Sequence, residues 1–319
     1  MLKYYNMKKI IALVFAICLF AVSNSYAFLS KDGIGTTSAQ FLKLGIGAKS
    51  AGMGNAVVGV YNGTDAVYWN PSNLNYITRK EFSFSHTVWF EDITYEWLAF
   101  VLPTEKYGNF GVAFQYVSYG SMGKVDNNNV SDGTFSPIDM AIYLSYANTY
   151  KNFNYGGNLK YIYSKIENSA SAYALDLSAS YDVTDKLAVG AVLTNLGTQM
   201  KFNEESEDLP LLFKIGSSYW ILDSWQVALD INFPNDNDFY FNFGTEYDVY
   251  SSKKTDIFVR AGYDGRNSDV PGFNWLNFGF GINYLDYVFD YAFVPYGDIG
   301  MTHRFSFSIK FGSKVYKTK

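Results

Sequence analysis

The side chains that most often carry chemistry are scarce in this sequence. Its only histidines are His86 and His303, and its one cysteine, Cys18, lies within the first thirty residues. A catalytic triad or an imidazole or thiolate metal centre is therefore poorly supplied. The run Gly45 to Gly54 looks superficially like a phosphate loop, but it lacks a Gly-Lys-Ser/Thr ending and neither follows a parallel strand nor opens a helix. Six charged residues stand out: Lys160, Asp176, Asp230, Glu246, Arg260 and Asp290, each set among alternating apolar residues. No spacing among them dictates acid–base catalysis, because the register of distant segments is not written in the sequence. The acid-rich stretch 203–208 and the run Asn127-Asn128-Asn129 carry no cation-binding motif and read as solvated loop tips. The expectation is a non-enzymatic protein with no metal or cofactor.

The elements that must position these charges are strands. From Lys80 onward, segments of eight to eleven residues place an apolar or aromatic side chain at every second position and end in a polar break. Val227, Leu229, Ile231 and Phe233 oppose Asp230 and Asn232. Phe239, Phe241, Phe243 and Tyr247 oppose Asn242 and Glu246. Phe305, Phe307, Ile309 and Phe311 oppose Ser306, Ser308 and Lys310. About fourteen such segments can be counted, an even number, as a single-chain bacterial barrel requires. All seven prolines (Pro71, Pro103, Pro137, Pro210, Pro234, Pro271, Pro295) fall in connections or at segment ends. Long connections alternate with short ones, which places long loops on one side and tight turns on the other. The six charged residues occupy the polar parity, so in a barrel they point to the lumen and hold a satisfied polar interior. Alternation by itself leaves a soluble sandwich open, since an apolar face can meet lipid or a second sheet.

Residues 1–27 read as a cleaved signal peptide: Lys3, Lys8 and Lys9, the apolar run Ile10 to Val22, then Ser25-Tyr26-Ala27. Cleavage would leave 22 Lys+Arg (25 − 3) against 30 Asp+Glu, a balance of −8, which disfavours nucleic-acid binding. No later stretch holds 18 uninterrupted apolar residues, so if the exported chain enters a membrane it must do so as a closed barrel. Aromatic residues make up 19% of the chain, a profile suited to strands and to interfacial girdles.

Residues 28–79 do not alternate, and residues 80–319 do. Gly45, Gly47, Gly52, Gly54 and Gly59 permit positive φ and close backbone approach, which suits a plug threaded through the lumen; an ordinary glycine-rich surface loop is the alternative. Tyr68 and Trp69 are expected to anchor the plug's exit, and Asn70-Pro71 to turn the chain into the first strand. Lys160, Asp176, Arg260 and Asp290 are expected to hydrogen-bond plug backbone.

The stretch Gly45-x-Gly-Ala-Lys-Ser-Ala-Gly-Met-Gly-Asn-Ala56, followed by Tyr68-Trp69-Asn70-Pro71-Ser72-Asn73-Leu74, resembles the PorV/PorQ group of outer-membrane proteins, which is related to the FadL transporters. Lys49, Ser50, Asn55, Ser72 and Asn73 depart mildly from that pattern. The resemblance extends to 36–42, 194–197 and 297–304 and covers essentially the whole mature chain. It implies a fourteen-stranded barrel with an internal plug in the outer membrane of a Gram-negative-type bacterium, surrounded by outer-membrane lipid. It also implies work with secreted cargo proteins or components of type IX secretion. A FadL-like channel for hydrophobic small molecules and a purely structural outer-membrane protein are the alternatives.

Overall fold

The computed structural model describes residues 33–91, 93–126, 128, 130–267 and 271–315; the signal segment and Cys18 lie outside them. Eighteen strands follow in chain order among the described residues. They are β1 (Lys80–Val88), β2 (Thr94–Pro103), β3 (Asn109–Ser118), β4 (Met122–Val125), β5 (Ser131–Phe135), β6 (Ile138–Tyr150), β7 (Phe153–Lys165), β8 (Ser169–Asp182) and β9 (Leu187–Gly197). Then come β10 (Met200–Lys201), β11 (Ser206–Glu207), β12 (Leu212–Leu222), β13 (Trp225–Pro234), β14 (Tyr240–Ser251), β15 (Thr255–Asp264), β16 (Asn277–Tyr284), β17 (Tyr287–Pro295) and β18 (Met301–Phe311). Fourteen of these close into one antiparallel barrel in chain order, β18 pairing with β1 from Lys80↔Phe311 to Val88↔His303. The remaining four form two small hairpins, β4–β5 and β10–β11, in the two longest connections. The loop tips around Asn128 and residues 203–208 are thus parts of ordered hairpins rather than plain loops; Asn127 and Asn129 lie outside the described residues.

The distribution of side chains decides between barrel and soluble sandwich. Leu229 (45% exposed), Phe241 and Phe243 (both 46%) point outward, while their neighbours Asp230 and Asn242 are buried. Apolar groups outside and charged groups inside is the reverse of a water-soluble core, and it is what a lipid-facing wall around a polar lumen requires. Closure also removes every free strand edge from the wall.

Short turns mark one end of the barrel: 151–152, 223–224 and 285–286, with Lys151 (φ 58°) and Leu285 (φ 55°) in the left-handed region that tight hairpins need. The long connections lie at the other end. The wall is irregular between β8 and β9, where Leu175 pairs with Leu196 but Leu177 pairs with Leu193, and Asn195 adopts φ 66° in the resulting bulge.

Residues 33–79 lie within this wall and form the plug. The plug is not wholly non-helical, as its sequence suggested. Single helical turns occur at Ala48–Gly52 and Ala66–Trp69, and 3₁₀ turns at Gln40–Lys43, Gly63–Asp65 and Pro71–Tyr76. Each is too short to stand alone and owes its stability to tertiary contacts. Phe41, Ile46, Met53, Val57, Val67, Trp69 and Leu74 form an apolar centre inside the lumen together with Trp97, Tyr143 and Ile162 of the wall.

Candidate functional site

The plug runs the length of the lumen. At the long-loop end Thr37 Oγ1 and Lys43 Nζ donate to Asp236 Oδ2 (2.5 and 2.6 Å), and Ser38 N donates to Asp208 O (3.0 Å). Burial pushes the Asp236 carboxyl up, but hydrogen bonds from Lys43, Thr37 and Gln40 overcome it and hold it below its ordinary value. At the short-turn end Tyr76 Oη donates to Asp182 (2.6 Å) and Asn75 Nδ2 to Asn148 O (2.7 Å), just before the chain enters β1.

Between these ends, plug backbone with no ladder partner must be satisfied by the wall. The wall does this mainly with neutral amides. Asn158 donates to Val67 O (2.8 Å), Asn242 to Gly54 O (2.6 Å), Asn277 to Ala51 O (3.0 Å), Gln115 to Phe41 O (3.1 Å) and Asn109 to both Leu74 O and Ile77 O. Two carboxylates join them: Asp230 Oδ2 accepts from Val57 N (2.9 Å) and Val58 N (3.1 Å), and Glu81 Oε1 accepts from Thr64 N (3.3 Å).

This corrects the expectation for four charged residues. Lys160, Asp176, Arg260 and Asp290 bond one another and other side chains and wall atoms rather than plug backbone. Lys160 pairs with Asp176 (2.7 Å) and also reaches Asn195 Oδ1, while Asp176 accepts from Asn195 N (2.8 Å) and thereby fills the β8–β9 bulge. Arg260 Nε donates to Glu246 (2.6 Å) and its Nη1 to Asp290 (2.7 Å); Lys49 of the plug adds a third contact, to Glu246 (3.3 Å). The physical reason is charge: a buried ion gains most from an opposite ion, and neutral amides can serve a peptide without leaving a charge unpaired. Arg260 on β15 crosses β16 to reach Asp290 on β17 because Gly281 stands between them. A Cβ there would lie 2.4 Å from Asp290 Oδ1 and 2.7 Å from Arg260 Nη2.

The aromatic pair also acts differently from expectation. Tyr68 Oη donates to Leu42 O (2.7 Å) and accepts from Gly45 N (3.1 Å), and Trp69 Nε1 donates to Ile46 O (3.0 Å). They staple the plug to itself, at its centre, rather than anchoring its exit. Asn70 turns the chain by accepting from Ser72 N (3.2 Å), and its amide donates to Val58 O (2.7 Å). Among the plug glycines, Gly54 shows why a Cβ is excluded: it has φ 62° and lies against Tyr263 and Gly262, where a Cβ on Gly262 would stand 2.1 Å from Gly54 N. Gly52 and Gly59 likewise abut wall backbone at Gly279 and Ser217–Ser218. Gly45 and Gly47 pack instead against Trp69 and Asp65 of the plug itself.

Sequence reasoning missed several interior residues. Lys214 is buried with its ammonium 4.4 Å from the Trp69 ring centre, Arg304 donates to Gly45 O (3.2 Å), and Glu81 Oε1 accepts from Thr64 N (3.3 Å). Each lies on the polar parity of its strand, so parity could have found them. Both histidines face outward, His86 beside Glu96 (2.7 Å) and His303 beside Tyr291 (2.8 Å). Among the described residues no group of acids, histidines or cysteines is arranged to hold a metal ion.

Interior space remains beside the plug. A cavity of about 370 Å³ opens at the short-turn end beneath plug residues 59–65. A second of about 20 Å³, room for roughly one water, lies between Leu42, Tyr68, Trp69 and the wall at Tyr143, Lys160 and Leu212.

No family model matches this sequence, and no curated protein does. Solved structures do match in fold. The toluene transporter TodX of Pseudomonas putida aligns with a TM-score of 0.58 and 13% identity over 83% of this chain and 96% of that one. The toluene transporter TbuX of Ralstonia pickettii gives 0.58 and 13% over 84% and 99%. A Pseudomonas aeruginosa FadL homologue gives 0.52 and 11% over 83% and 98%. The fold is therefore a FadL-like barrel.

Proposed function

We propose that this protein is an outer-membrane channel for hydrophobic small molecules, acting without covalent chemistry. The observation that carries the reading is the plugged fourteen-strand barrel, together with its likeness in fold to the toluene transporters TodX and TbuX. Its apolar, aromatic exterior suits lipid on all sides, and the long-loop end faces outward by the usual asymmetry of such barrels. Inside, the aromatic staple Tyr68–Trp69 and the neighbouring Tyr143 supply apolar surface at the plug–wall boundary, where a small shift of the plug would enlarge the space already present.

The secretion-carrier reading rests on residues 45–56 and 68–74. Those residues already have a local purpose: they are plug residues whose glycines, amides and aromatic rings fit the plug to the wall and to itself. The motif thus speaks for a plug rather than for a cargo.

The test is uptake. Cells expressing the protein should accumulate labelled toluene faster than cells without it, and a variant with the plug locked to the wall by an engineered disulfide should lose the gain until reduced. Equal uptake in all three, with exported proteins or secretion components co-purifying from outer membranes, would replace the channel by the carrier.

A further inference from the structure

The cavity at the short-turn end combines an excess of carboxyl groups with aromatic walls. Six acids face it: Asp65, Glu81, Asp182, Asp185, Glu246 and Asp290; four cations oppose them: Lys49, Lys186, Arg260 and Lys310. Their pairing is uneven. Glu246 and Asp290 are neutralised by Arg260 and Lys49. Asp182 takes the Tyr76 hydroxyl. Asp65, on the plug, is more than nine-tenths buried and lines the cavity, and no ion pair reaches its carboxyl among the described residues. The buried indole Nε1 of Trp97 in β2 faces it.

The aromatic faces of this cavity already accept cations. Lys310 Nζ lies 5.8 Å from the Tyr61 ring centre, and the Arg260 guanidinium 5.6 Å from that of Phe258. Trp220 lines the same space and is the largest π surface in it. A volume of about 370 Å³ is within the range of small-molecule sites.

We propose that this cavity is a binding site for a small organic cation, its charge met by the Asp65 and Glu81 carboxyls and its apolar body by Tyr61, Trp220 and Phe258. A cation bound here is coupled to a proton. Burial, with Asp290 on β17 and Glu81 on β1 adding to it, pushes the Asp65 carboxyl up to about 8, against the lowering pull of Lys49 and Trp97. At neutral pH Asp65 is therefore the acid form, and an entering cation displaces its proton. Affinity rises with pH until Asp65 is ionised without help, and then levels off. The inference does not depend on what passes through the barrel.

The experiment uses the full barrel in detergent, titrated with choline, whose charge does not titrate, and with its neutral carbon isostere 3,3-dimethylbutan-1-ol. Binding is read by tryptophan fluorescence and by calorimetry in two buffers of different ionisation enthalpy. The expected result is choline binding that tightens about fiftyfold from pH 6 to pH 8, most steeply below pH 7, with release of nearly one proton at pH 7, and at least tenfold weaker binding of the alcohol. Asp65→Asn, an isosteric change in a group already neutral at pH 7, should weaken choline binding and abolish its pH slope. Trp220→Phe should remove most of the fluorescence change while calorimetry still shows the slope. Heat-modifiable migration of each variant shows that it is folded. Equal binding of choline and the alcohol, equal displacement of choline by sodium at constant ionic strength, or an unaltered pH slope in Asp65→Asn would each overturn the assignment.

Discussion

Asp230 is the side chain on which plug and wall depend most directly, because one carboxylate oxygen accepts two consecutive plug amides, those of Val57 and Val58. An intramolecular hydrogen bond contributes about 0.5–1.5 kcal/mol, and removing the acceptor also leaves two buried donors unbonded. Asp230→Ala should leave the barrel intact but make residues 45–60 cleavable by added protease, whereas the wild type resists; equal resistance would show that the neutral amides suffice. Asp65 gives the plug a pH dependence of its own. Its carboxyl, near 3.8 when solvated, is pushed up to about 8 in the seated plug, chiefly by burial. A raised acid favours the seated state when protonated, so its contribution is complete below about pH 4 and is lost as pH rises to about 8. Conductance in planar bilayers should accordingly increase from pH 5 to pH 9 in the wild type and stay flat in Asp65→Asn. The same slope in both proteins would assign the effect to other groups.

The plug is an element without a regular period, and its stability comes from what it touches. Close backbone approach at Gly54 and Gly262 places plug peptide directly against β14 and β15, so that wall amides can reach its carbonyls. Deleting residues 45–59 removes the Lys49–Glu246 pair, the Asp230 contacts and the Asn242 and Asn277 bonds together. The wall keeps its full set of interstrand ladders, so the variant should insert and conduct ions more freely than the intact protein. Unchanged conductance would mean that the hairpins β4–β5 and β10–β11, or another part of the wall, close the lumen instead.

At the scale of the whole barrel, stability rests on closure and on the separation of two environments. A wall without free edges resists detergent, so the native protein should run anomalously on a denaturing gel until boiled. The two parities of one strand should respond in opposite ways to charge. Phe280, outward near the middle of β16, should cost about 2–4 kcal/mol as Phe280→Arg. Asn283, three residues on and lining the short-turn cavity, should tolerate Arg with much smaller loss. A folding titration into lipid vesicles separates the two; equal assembly would contradict the assignment of faces.

A side-chain period of two was enough to count the strands, place the prolines at their ends, and send Lys160, Asp176, Asp230, Glu246, Arg260 and Asp290 inward, because in a wall one residue thick parity is direction. Loss of that period before Lys80 was enough to mark a segment that could not be wall. Which inward groups meet was not legible, since Glu246 and Arg260 face each other only through the β14–β15 register and Asp290 is reached across Gly281. Register over a closed sheet is fixed by stagger around the ring, a long-range quantity with no local signature. The course of the plug was equally hidden. Its irregular backbone takes its shape from wall donors and acceptors 91 to 188 residues away, such as Asn158, Asn242 and Asp230, so its route, its staple at Tyr68 and Trp69, and the burial of Asp65 were decided by tertiary structure alone.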